Sequence, residues 1–84
     1  MYFTKKAAVE LFGSEVKVKE GFRGVPIDAD GSIVGIYRVS GGKWALLITF
    51  TYQNLTYGRG PHTHQITRTR FNRSIEVTRA AGSP

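Results

Sequence analysis

From Trp44 to Gln53 the chain reads WALLITFTYQ, and this stretch constrains the fold more than any other. Trp44, Leu46, Ile48, Phe50 and Tyr52 fall on one side of an extended backbone, while Ala45, Leu47, Thr49, Thr51 and Gln53 fall on the other. A period of two sustained this long belongs to a strand, not to a helix of period 3.6. The segment therefore predicts a central strand with one apolar face. Whatever else the chain forms must cover that face.

The neighbouring segments supply strands to do so. Glu15-Val16-Lys17-Val18-Lys19 alternates valine with charge, as a half-buried strand requires. Ser32 to Val39 predicts a second strand, joined to the central one through Ser40-Gly41-Gly42-Lys43, where adjacent glycines suit a tight hairpin. Gly35 inside that strand suits a bend or bulge. Val25 to Gly31 reads as an irregular loop closed by an Asp-Gly turn, and Gln53 to Thr63 as a long polar loop with Gly58-Arg59-Gly60-Pro61 at its tip. Further strands are expected at His64 to Phe71 and Ser74 to Thr78, and residues 80–84 read as a frayed tail.

One short helix is expected before the strands. Thr4 is placed to cap a helix from Lys5 to Phe12 that ends at Gly13, with Ala8, Leu11 and Phe12 on one face. Lys5 and Lys6 oppose the dipole at its start and Glu10 opposes it at its end, so packing must hold the helix.

Two resemblances bear on the fold. Val16-Lys17-Val18-Lys19-Glu20-Gly21-Phe22-Arg23-Gly24, followed by Gly31-Ser32-Ile33-Val34, resembles the KOW pattern of small SH3-like barrels in ribosomal proteins and transcription elongation factors, with a longer first loop. Gly31-Ser32-Ile33-Val34-Gly35-Ile36-Tyr37 is similar to a strand of the plasmid-borne type II dihydrofolate reductase, another SH3-like barrel, which works as a tetramer with a shared pore. His64-Gln65-Ile66-Thr67 matches only the Gln-Ile of that enzyme's Val-Gln-Ile-Tyr pore segment and lacks the tyrosine, so the resemblance implies the fold and not the activity. The expected class is mainly β: one domain spanning 1–84, with an N-terminal helix and lead-in over 1–14 and a small five-stranded SH3-like barrel over 15–79. Curling one sheet onto itself would bury every apolar face and reduce exposed edges.

Charge directs the functional reading. The chain has 84 residues and a net charge of +6. Residues 1–30 hold five basic and five acidic groups, which cancel, whereas residues 31–84 hold seven basic groups against Glu76 alone. Surplus positive charge spread over a surface serves only solubility; concentrated on one surface it attracts polyanions. The segment QITRTRFNR, Gln65 to Arg73, is its densest part, open to reading as a nucleic-acid-binding ribbon, the basic face of a helix, or a solvated strand edge. Its threonines favour the strand. Arg68, Arg70 and Arg73, with Arg59 on the long loop and Arg38 and Lys43 around the hairpin, are the candidate nucleic-acid-binding residues. Arginine grips phosphate bidentately and stacks on bases. Tyr52, Tyr57 and Phe71 are candidate stacking platforms, although large aromatics more often fill a small core.

Other chemistries lack their parts. His62-x-His64 has no Cys, Asp or Glu nearby in sequence to complete a metal site. Asp28-Ala29-Asp30-Gly31 imitates the start of a calcium loop, but position 39, where the closing glutamate belongs, is valine. No nucleophile, base and acid stand in a recognisable pattern, and no cofactor fingerprint is present, so no enzyme activity is expected. The absence of cysteine fits a reducing compartment, and the longest apolar run, Trp44 to Ile48, is far below membrane-spanning length, so a cytoplasmic location without membrane association is expected. The preferred partner is DNA or RNA, bound through phosphate with weak sequence preference. The alternatives are a protein-interaction module, such as a phage or mobile-element accessory or inhibitor protein docking on an acidic surface, and a homo-oligomer with a pore-type site.

Overall fold

The computed structural model describes residues 1–54 and 56–82. In chain order the elements are helix α1 (Lys5–Leu11), strands β1 (Glu15–Val18), β2 (Asp30–Ser40), β3 (Lys43–Asn54) and β4 (Gly58–Ile66), helix α2 (Arg68–Ser74) and strand β5 (Ile75–Arg79). The molecule is mainly β. Its five strands form one antiparallel sheet in the order β4-β3-β2-β1-β5.

The central strand behaves as its alternation requires. Leu46, Ile48, Phe50 and Tyr52 are buried, while Thr51 and Gln53 on the other face are exposed. The buried face packs against Val16, Val18, Ile33, Ile66 and Ile75 from the other strands, with Phe3 and Phe22 from the connections. Gly31 lies opposite Phe50 in the β2–β3 register, and a Cβ on it would come within 2.7 Å of the Phe50 ring. Only glycine leaves room for the ring there. The register of β2 slips between Ile33 and Gly35, so the expected bulge is present, and it turns Val34 out to solvent.

Helix α1 starts as expected, with the Thr4 hydroxyl accepting from the Ala7 amide at 3.2 Å. Ala8 is buried, with Ala7 and Leu11 packed on the same core. Phe12 is not on that face: it is the C-cap, 49% exposed. Gly13, at φ 87°, breaks the helix in the left-handed region.

The long loop and the fourth strand also differ from expectation. The long loop expected over Gln53 to Thr63 is instead the end of β3, a turn and most of β4, residue 55 lying outside the described residues. Its glycines and proline signalled a loop, but β4 ends the strand order, and an edge strand tolerates proline because one side of its backbone needs no ladder partner. Pro61 stands opposite Thr51, within the ladder. The strand expected over His64 to Phe71 stops at Ile66, and Arg68–Ser74 is helical. Thr67 serves as the N-cap, a position threonine favours, and its side chain accepts from the Arg70 amide at 3.4 Å. Phe71 then turns inward against Phe3, ring centroids 5.6 Å apart, so packing outweighs the weak helix propensity of the threonines.

The expected tail is anchored at Ala81, whose amide donates to buried Ser14 Oγ at 3.1 Å; residues 83 and 84 lie outside the described residues. No helix among the described residues is long and apolar enough to cross a membrane.

Candidate nucleic-acid interface

The conversion of Arg68–Ser74 from strand to helix regroups the arginines. At about 100° per residue, Arg70 and Arg73 lie within about 60° of each other, whereas Arg68 is rotated about 160° from Arg70. Arg70 and Arg73 line a cleft of about 150 Å³ together with Arg23, Thr67 and Thr69. Arg68 is exposed outside it.

Each guanidinium in the cleft is held by a different device. The Arg70 guanidinium carbon lies 5.3 Å from the Phe22 ring centroid, and its Nη1 donates to buried Ser74 Oγ at 3.2 Å. Arg73 donates from Nε to both carboxylate oxygens of Glu20, each at 3.3 Å. Arg23 sits at the tip of a tight turn closed by Phe22 and Val25, which exchange amide-to-carbonyl bonds of 3.1 and 2.7 Å. Its φ is 46° and that of Gly24 is 81°, the paired positive values of a type I′ turn. Arginine seldom occupies that backbone region. From there Arg23 Nη1 donates to the Gln65 carbonyl at 3.4 Å.

Phe22, over which Arg70 stacks, belongs to an aromatic cluster that contains both histidines. His64 shares a 2.9 Å hydrogen bond with the Tyr52 hydroxyl and meets the Phe22 ring edge-on at 6.1 Å. Its pKa is lowered from 6.5, first by burial, then by the positive charge of Arg23, then by His62. His62 packs on Tyr52 at 4.7 Å and pairs through Nε2 with the Gly58 carbonyl at 3.2 Å. Both side chains are thus engaged in packing, and among the described residues no group of three candidate metal ligands is found.

The remaining candidates do not line the cleft. Arg59 lies opposite Gln53 in the β3–β4 ladder, while Lys43 opens β3 and Arg38 lies opposite Trp44 in the β2–β3 ladder. Ten residues of strand separate Lys43 from Gln53, about 33 Å. Lys43 stacks over Tyr2 at 5.8 Å and Lys5 over Trp44 at 5.7 Å, forming a separate basic, aromatic corner. Among the candidate platforms, Tyr52 is buried and Phe71 half-buried, whereas Tyr57 is 80% exposed.

Two wider clefts, of about 450 and 300 Å³, both include Glu15, and the second also includes Asp30. In the first, Glu15 is paired with Arg79 at 3.9 Å and the lining is about neutral; the second holds two acids and no base, so the smaller cleft with its three arginines is the better candidate on charge. Asp30 is paired with Lys17 at 4.0 Å, which accounts for one acid of the calcium-like segment.

Arg23 is the cleft residue that charge counting missed, because it belongs to the electrically balanced half of the chain. Its signal was local: Arg-Gly between two apolar residues marks a tight turn that projects a side chain. Comparisons with known protein families, curated proteins and solved structures find no match.

Proposed function

We propose that this chain is a small SH3-like barrel module that binds DNA or RNA through phosphate contacts centred on α2 and the Phe22–Val25 turn. The observation that carries this reading is the meeting of Arg23, Arg70 and Arg73, from two distant segments, around one cleft. Guanidinium groups recognise phosphate oxygens whatever the base, so sequence preference is weak. Exposed Arg68, on the far side of α2 from Arg70, lies outside this contact, while Tyr57 offers an open ring for stacking. The sheet ends in β4 on one side and β5 on the other with no pairing between them among the described residues, so the barrel part of the proposal rests on the bulge before Gly35, since bulges strengthen the coiling of a sheet over its own apolar face. The module has a binding role and not a catalytic one.

The test is a fluorescence-anisotropy titration with random duplex and single-stranded oligonucleotides at several salt concentrations. Expected is log affinity falling linearly with log salt, the slope reduced by about one when a phosphate-contacting arginine is replaced. Absence of binding even at low salt rejects the reading and leaves docking on an acidic protein surface in its place.

A further inference from the structure

We infer that the cleft between α2 and the Phe22–Val25 turn seats a phosphomonoester, the terminal phosphate of a nucleic-acid strand. The inference rests on the nucleic-acid reading and sharpens it from general backbone contact to recognition of strand ends.

Size is the first argument. At about 150 Å³ the cleft falls below the roughly 300–1,000 Å³ of pockets that enclose drug-sized ligands. It has room for a phosphate-sized group and leaves sugar and base outside. Charge is the second. Three guanidinium groups, the Met1 ammonium that donates to Thr69 and the Glu20 carboxylate that engages Arg73 sum to +3, four minus one. A phosphomonoester carries about −1.5 to −2 near neutral pH, while an internal diester carries a single charge. The site therefore complements the terminal group better.

Donor placement is the third. Thr67 Oγ1 accepts from the Arg70 amide and Thr69 Oγ1 accepts from the Met1 nitrogen at 2.9 Å, so both hydroxyls keep their own protons for an incoming oxyanion. Phe22 and Ser74 fix Arg70, and Glu20 fixes Arg73 through Nε at the inner end of its fork. Arg23 completes the ring from a left-handed backbone position at which glycine is the favoured residue.

That last feature supplies a clean test. Arg23→Gly removes the charge while suiting the backbone, so the variant is expected to melt no lower than the wild type. Single-stranded oligonucleotides of one sequence, with phosphate or hydroxyl at the 5′ or 3′ end, are titrated into both proteins, with inorganic phosphate as competitor. The wild type is expected to bind a phosphorylated end about tenfold tighter, the ratio one charge-assisted hydrogen bond produces. Inorganic phosphate should erode that preference, and Arg23→Gly should abolish it while retaining weaker binding of both strands. Equal affinity for both ends in the wild type, or a preference that survives in Arg23→Gly, overturns the inference and leaves the nucleic-acid reading intact. No binding of either strand overturns both.

Discussion

The Arg70 guanidinium stacks on Phe22, 5.3 Å from its ring centroid, and so ties the last helix to the turn that follows the first strand. The same side chain donates to Ser74, whose residue is 0% exposed. Arg70 therefore acts as a fastener as well as a charge. Replacing it with alanine removes a cation–π contact and the partner of a buried hydroxyl, with an expected loss of about 1–2 kcal/mol. In a chain of this size each kcal/mol lowers the melting temperature by about 4–8 °C, so a calorimetric scan reads the effect directly. Arg70→Lys should keep part of the polyanion affinity but not the stability, because lysine lacks the planar stack.

Glu20 orients Arg73 but also offsets its charge. It shields Arg73, and both side chains are largely exposed, at 49% and 66%. An exposed ion pair contributes at most about 1 kcal/mol to stability. Glu20→Gln is therefore expected to leave the urea midpoint nearly unchanged while tightening oligonucleotide binding by about 2- to 5-fold, the equivalent of about 0.5–1 kcal/mol. Anisotropy titration and urea melts on one preparation check both halves of the expectation.

Acid should weaken the fold through His64. Its folded pKa lies below 6.5, chiefly through burial, with Arg23 and His62 adding to the effect. Between the two pKa values the unfolded chain binds a proton that the folded chain does not, so stability rises with pH across that window. The His64 contribution is complete above 6.5, falls as pH drops below 6.5, and stops changing beneath the folded pKa. His64→Gln retains a hydrogen-bonding group for Tyr52 without a titrating ring. Urea midpoints followed downward from neutral pH should decline less steeply in this variant than in the wild type.

Gly31 is expected to resist substitution. A Cβ would lie 2.7 Å from one atom of the Phe50 ring and 3.1 Å from the Thr49 carbonyl oxygen, and Phe50 is fully buried. Because neither ring nor backbone can retreat without disturbing the core, Gly31→Ala should cost about 1–3 kcal/mol, measured as a lowered urea midpoint with an unchanged slope.

How much of this was legible in the sequence depends on whether the governing force was local. The β3 alternation, the Gly41-Gly42 hairpin, the Gly35 bulge and the Thr4 cap are all visible, since each is set by neighbouring residues. Helix α2 was not, because Thr67 reads equally well as a strand residue or a cap, and the deciding contact is Phe71 against distant Phe3. Strand β4 was hidden by glycine and proline that an edge position tolerates. The site was half legible. Arg70 and Arg73 stood out by density, but their partner Arg23 reaches Gln65 across 42 residues, and nothing in the linear pattern brings those segments together. Nor does charge counting show that Glu15 and Glu20 of the balanced half reach Arg79 and Arg73 of the basic half.

Amide chemical-shift mapping during titration with a short single-stranded oligonucleotide tests the location of binding most directly. The expected result is a contiguous set of perturbed amides from Phe22 to Val25 and Thr67 to Ser74, diminishing as salt is added. Perturbations confined to the threonine face around Thr49, Thr51 and Thr63, or to the Lys43 corner, or the absence of any perturbation at low salt, would contradict it.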